Sequence, residues 1–103
     1  MAGELMEGQR TEIFRRIDGR FQEFVDDLSA FARVPTISAL RQAEREGAEA
    51  TLKVLANYGV EGRLMEVRGG PAMVVGEVAS DPTLPTLILY NHYDVQPVDP
   101  LAE

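Results

Sequence analysis

Cysteine is absent from the chain. That excludes disulfides and thiolate-metal sites, so any bound metal would be held through nitrogen and oxygen ligands. Positive charge is scarce as well. Ten Lys and Arg stand against 17 Asp and Glu, a net charge of −7, and the basic residues form no dense block. Nucleic-acid binders present a basic face whose charge drives affinity, and attachment to anionic lipid needs a polybasic cluster, so both functions are disfavoured. No apolar run approaches the roughly 18 residues of a membrane span. The opening Met1-Ala2-Gly3-Glu4-Leu5-Met6-Glu7-Gly8 lacks the basic-then-apolar order of a secretory signal. Neither Gly69-Gly70 nor Gly76 falls in a dinucleotide or Walker sequence, so a phosphate cradle is unsupported. The expectation from these absences is a cytoplasmic protein without membrane or nucleic-acid partners.

What is present suits one globular unit. At 103 residues, 45% hydrophobic and 26% charged, the chain has enough apolar content for a core, and disorder throughout is not expected. Residues 1 to about 9 have no sustained period and read as a flexible lead-in to a single domain spanning 1–103.

From Thr11, the residues Ile13, Phe14, Ile17, Phe21, Phe24, Val25, Leu28 and Phe31 recur at steps of three and four. This draws one apolar stripe along a helix of about twenty residues, with packing against a sheet the expected use of its phenylalanines. Pro35 ends that helix, because proline disfavours helical geometry in the residue before it. In the connector Arg33–Ser38, Thr36 and Ser38 are expected to cap, since no base stands near enough in sequence to make either a nucleophile. A second helix is expected from about Ala39 to Tyr58, with Leu40, Ala43, Gly47, Ala48, Thr51, Leu52, Leu55 and Tyr58 inward and Gly59 as its C-terminal cap. Arg41, Glu44, Arg45, Glu46 and Glu49 are read as facing water. Gly62–Val67 and Ala72–Ala79 then read as two strands joined by Arg68-Gly69-Gly70-Pro71, an antiparallel hairpin.

The most informative stretch is Leu87-Ile88-Leu89-Tyr90-Asn91-His92-Tyr93-Asp94-Val95-Gln96-Pro97. Four consecutive large apolar residues suggest a strand buried on both faces. Polar groups follow at its C-terminal end, where open α/β sheets place their ligand crevices. Side chains alternate along extended backbone, so His92 and Asp94 share a side and Tyr93 points away. Neutral imidazole is a good ligand for a divalent ion, and a neighbouring carboxylate either coordinates too or fixes the ring's tautomer. Pro97 cannot donate to a ladder, so the strand should stop by about Val95. Spacing alone leaves a second option open, a hydrogen-bonded His-x-Asp pair without catalytic use.

An apolar strand followed by Asn-His-Tyr-Asp-Val-Gln-Pro resembles the first metal-binding segment of the M20 metallopeptidase family. That family includes aminoacylases, acetylornithine deacetylase, succinyl-diaminopimelate desuccinylase and dipeptidases, and the Tyr-Asp-Val-Gln-Pro wording is most like the dipeptidase branch. Asn91 stands where the family usually has Gly. The Arg33-Val34-Pro35-Thr36-Ile37-Ser38 connector is similar to one that follows the family's first helix. The resemblance implies that His92 is a metal ligand and that Asp94 orients it without binding metal. It further implies a two-zinc site, with Co2+ or Mn2+ as alternatives, in which metal-activated water cleaves amide bonds of dipeptides or N-acyl amino acids.

The fold this implies is α/β, a mixed sheet packed with helices in the order α-α-β-β-β, matching an N-terminal portion of a zinc-peptidase-like catalytic domain. The family's other ligands and its glutamate base have no counterpart before Glu103. The chain by itself is therefore expected to be inactive, and exposed sheet edges are expected to let it form homo-oligomers. The competing expectation is a non-catalytic α/β interaction or assembly module with a structural His92.

Overall fold

The computed structural model describes residues 6–79 and 81–97. The chain divides into two compact units, Met1–Ala30 and Phe31–Glu103.

The first unit is helical. Helix α1 spans Glu7–Gly19 and α2 spans Phe21–Ala32, running past the unit's end. The expected single helix is thus interrupted at Arg20, whose φ of −115° and ψ of 9° leave the helical region. Gly19, the weakest helix former in the stretch, directly precedes the break. The distortion is confined to one residue: the Arg20 amide still donates to the Arg16 and Ile17 carbonyls at 3.2 Å, and the Phe24 amide to the Arg20 carbonyl at 3.1 Å. Helix α1 also begins earlier than its apolar stripe. The Gln9 side chain accepts from the Met6 amide at 2.9 Å, satisfying a donor that a helix start leaves without a partner. Glu7 to Gln9 are therefore helical rather than lead-in, while Met1 to Leu5 lie outside the described residues. The stripe itself is not covered as expected: Ile13, Phe14, Ile17, Phe21, Val25 and Leu28 are all exposed.

In the second unit, Ser38–Leu40 forms a short 3-10 turn and α3 spans Glu44–Asn57. The expected start of this helix at Ala39 is displaced because Arg41 and Ala43 both sit at φ 53°, a left-handed conformation no α-helix can include. Its end is as expected. Gly59 takes φ 76°, its amide donates to the Ala56 carbonyl at 3.1 Å, and the Val60 amide donates to the Leu55 carbonyl at 2.9 Å. These are the two bonds of a Schellman cap, which needs a left-handed residue at Gly59.

Strands β1 (Gly62–Met65) and β2 (Met73–Gly76) pair antiparallel in the register Gly62↔Gly76, Arg63↔Val75, Leu64↔Val74 and Met65↔Met73. Helix α3 packs on both strands. The glycine pair at one end of the ladder makes that approach feasible: a Cβ on Gly62 would lie 2.8 Å from Leu52 Cδ2 and 2.9 Å from Leu55 Cδ1. Leu64 and Val74, cross-strand partners, are half-buried between the two layers.

The mixed α/β class is as expected, but the third strand is not formed. Leu87, Ile88, Leu89 and Tyr90 are 81% to 89% exposed and carry no ladder hydrogen bonds. Extended apolar sequence becomes a strand only when another strand takes its amides and carbonyls, and among the described residues the sheet has two strands.

Candidate functional site

His92 and Asp94 are brought together. Nδ1 of His92 lies 2.9 Å from Oδ1 of Asp94 and 3.1 Å from the Asp94 carbonyl oxygen. A carboxylate and a carbonyl only accept hydrogen bonds, so Nδ1 is the donor to both, and the neutral ring carries its proton there. The lone pair is left on Nε2, which makes no hydrogen bond to another described residue. The imidazole side chain is 69% exposed, against 38% for Asp94, so the ring projects outward from a better covered carboxylate.

Several ties fix this short segment in place. The Val95 amide donates to the Thr36 carbonyl at 2.7 Å, holding residues 94–96 beside the 33–38 connector. The Tyr93 hydroxyl donates to the Ala72 carbonyl at 2.7 Å, anchoring the opposite side of the segment to the hairpin. Burial, followed by the nearby charges of Glu44 and Asp94, pushes the Tyr93 phenol up from its ordinary value, so it remains a donor at neutral pH. The Asn91 side chain accepts from the His92 amide at 2.9 Å. Tyr93 and His92 thus leave the backbone in different directions, as alternation along extended chain requires.

Sequence reasoning missed Ser38. Its Oγ donates to Oδ2 of Asp94 at 2.5 Å, across 56 positions of sequence. Both oxygens of Asp94 are therefore engaged, one by Ser38 and one by His92, and these bonds, in that order of weight, hold the carboxyl below its ordinary range. The expected capping roles of Thr36 and Ser38 are not found. The cap position of α3 is Ala43, which forms no side-chain cap, and Thr36 Oγ1 is buried with no hydrogen-bond partner. Ser38 is not arranged as a nucleophile either: the group it meets is the carboxylate, and the imidazole lies beyond it. No local signal marks Ser38, because its partner comes from the far end of the chain.

The donor set suits one position of a metal site. An imidazole with its Nδ1 proton fixed and its Nε2 lone pair open is the form that coordinates divalent ions, and the carboxylate behind it fixes that tautomer. It does not make a closed site, since a structural or catalytic zinc takes three or four protein ligands. Among the described residues there is no group of three or more His, Asp or Glu able to hold a metal. Also among the described residues, no helix is long and apolar enough to cross a membrane.

No family model matches the chain, and no solved structure matches it. It is similar to a Cys-Gly metallodipeptidase from Schizosaccharomyces pombe, 30% identical over 98 residues. The match takes in 84% of this chain and 21% of the relative, so the chain spans about a fifth of the length of the curated relative it matches. That similarity supports a relationship to a metallopeptidase.

Proposed function

We propose that this chain is the segment of a zinc-dependent M20-type hydrolase that provides one histidine ligand, His92, and the carboxylate that orients it, Asp94. The substrates are dipeptides or N-acyl amino acids cleaved at the amide bond. The observation that carries the proposal is the pair of acceptors on Nδ1, which leaves Nε2 as the coordinating atom. The similarity to a metallodipeptidase supports the same chemistry. When bound, a divalent ion supplies Lewis acidity toward an amide carbonyl. Asp94 holds the imidazole proton on Nδ1, Tyr93 and Val95 fix the backbone on either side of it, and the exposed ring faces whatever completes the coordination.

Calorimetric titration of Zn2+ into the chain, compared with His92→Ala and Asp94→Asn, tests this. The expected result is a weak site that His92→Ala abolishes and Asp94→Asn weakens about tenfold, the usual scale for loss of a group orienting a metal ligand. No dipeptide turnover is expected from the chain alone. A binding isotherm that His92→Ala leaves unchanged overturns the proposal, because the zinc is then held by the net negative surface.

A further inference from the structure

We propose that Ser38 is a positioning residue for metal binding: by holding one oxygen of Asp94 it aims the other at His92 Nδ1 and so keeps the Nε2 lone pair available. This rests on the proposed metal-ligand role of His92 and extends it to a residue distant in sequence.

A carboxylate anchored at one oxygen is free to rotate, and each rotation would offer the imidazole a different acceptor geometry. The Ser38 hydroxyl removes that freedom. It donates to Oδ2 at 2.5 Å, in the range of short charge-assisted O–H···O bonds, while Oδ1 accepts from His92 at 2.9 Å.

Ser38 is itself rigidly presented. It opens the four-residue loop Ser38–Arg41, closed by an antiparallel bridge in which the Ile37 amide donates to the Gln42 carbonyl at 3.0 Å and the Gln42 amide returns to the Ile37 carbonyl at 3.1 Å. The loop keeps Arg41 in a left-handed conformation and Ala43 just beyond it in another, a strain that persists only where surrounding contacts over-determine the backbone. Two residues before Ser38, the Thr36 carbonyl takes the Val95 amide, which fixes the loop against the segment carrying Asp94.

A plainer role for Ser38 is that of a staple holding residues 92–95 in place. The two roles differ in what happens to the imidazole. A staple affects stability alone, whereas a positioning residue also sets the tautomer.

His92 is the chain's one histidine, so its ring nitrogens can be followed without ambiguity in a 15N-histidine-labelled sample. Spectra recorded without metal, well above the usual imidazole pKa of about 6.5, report the neutral tautomer directly. The wild-type chain should show a protonated Nδ1 and an unprotonated Nε2. Ser38→Ala should move both signals toward the mixed tautomers of a free imidazole and weaken zinc binding about tenfold, while Ser38→Thr, which keeps the hydroxyl, retains both properties. If Ser38→Ala does not give a folded amide spectrum, Ser38→Cys takes its place, keeping the volume with a much weaker donor.

An unchanged tautomer in the folded variant overturns the proposal and leaves Ser38 a staple. Failure of the wild-type chain to bind zinc, with the tautomer still dependent on Ser38, overturns instead the metal reading on which the proposal rests.

Discussion

Thr36 and Gly47 face each other with no room for another atom between them. A Cβ on Gly47 would lie 2.7 Å from Thr36 Cγ2 and closer still to Oγ1. Thr36 has little freedom to yield, being 1% exposed, with its amide bonded to the Val34 carbonyl at 2.8 Å and its carbonyl holding the Val95 amide at 2.7 Å. Two effects of Gly47→Ala therefore oppose each other. Alanine gains about 1 kcal/mol of helix propensity in α3, whereas forcing a methyl into a closed contact costs typically 1–3 kcal/mol. With the contact this close the clash should win, and Gly47→Ala should lower stability by up to about 2 kcal/mol in urea unfolding. Because Thr36 also positions Val95, the variant should shift the Val95 and Asp94 amide resonances. Thr36→Ala, which removes both Oγ1 and Cγ2, should recover most of the loss in a double-mutant cycle; additive effects would show that the contact is not what limits residue 47.

The strained entry to α3 gives a prediction of opposite sign. Ala43 occupies φ 53°, where an L-residue pays about 1–2 kcal/mol and glycine does not. Glycine gives back part of this through its more flexible unfolded chain, about 0.5–1 kcal/mol. Ala43→Gly should therefore stabilise the second unit by up to about 1 kcal/mol. The same substitution at Ala50, inside α3, should destabilise it by about 1 kcal/mol. Thermal unfolding of the two variants side by side checks the pair, and a loss at both positions would mean that residue 43 is not held left-handed in solution.

These cases also show which parts of the structure were legible in the sequence. The helix ending at Gly59 and the meeting of His92 with Asp94 rest on interactions within a few residues, and the hairpin pairs residues no more than 14 positions apart, ranges that local rules describe well. The break at Arg20 depends on a small local energy that a continuous apolar stripe conceals. Leu87–Tyr90 failed differently: four apolar residues declare a preference for burial, but nothing local states whether a partner strand is there to provide it. Ser38 was invisible for the same reason, since its function depends on a carboxylate 56 positions away.

Acid should loosen the first unit as Glu12 and Glu23 lose their arginine partners. Glu12 accepts from Arg15 at 2.7 and 2.9 Å and from Arg16 at 3.1 Å, and Glu23 accepts from Arg20 at 2.7 and 2.8 Å. The Arg15 bond first, with Arg16 after it, holds Glu12 below the ordinary carboxyl range, and the Arg20 bond does the same for Glu23. A depressed carboxyl contributes stability that is present above its unfolded value, about 4.3, and is lost as pH falls through the lower folded value. Amide shifts across α1 and α2 should therefore hold steady from neutrality to about that pH and move below it. High salt should reduce the step because both pairs are exposed. Replacing both residues, Glu12→Gln with Glu23→Gln, should remove the step; its persistence would assign the acid response to other carboxyls.

The uncovered run from Leu87 to Tyr90 should dominate the solution behaviour of the chain. Its side chains are 81% to 89% exposed, it contains neither proline nor charge, and its backbone amides and carbonyls have no partner in the sheet. Such a segment pairs readily with an identical one, because two strands then satisfy each other's hydrogen bonds while removing apolar surface from water. The apolar side chains along α1 and α2 are exposed too, but helices satisfy their own backbone and lack this second driving force. Light scattering should accordingly show a mass that rises with concentration, and infrared spectra should show added β-structure in the same samples. Ile88→Lys, placing a charge within the run, should suppress both changes, whereas Phe14→Lys in α1 should leave the β-signature intact. A concentration-independent monomer, or association abolished by the α1 substitution instead, would show that residues 87–90 are not the adhesive element.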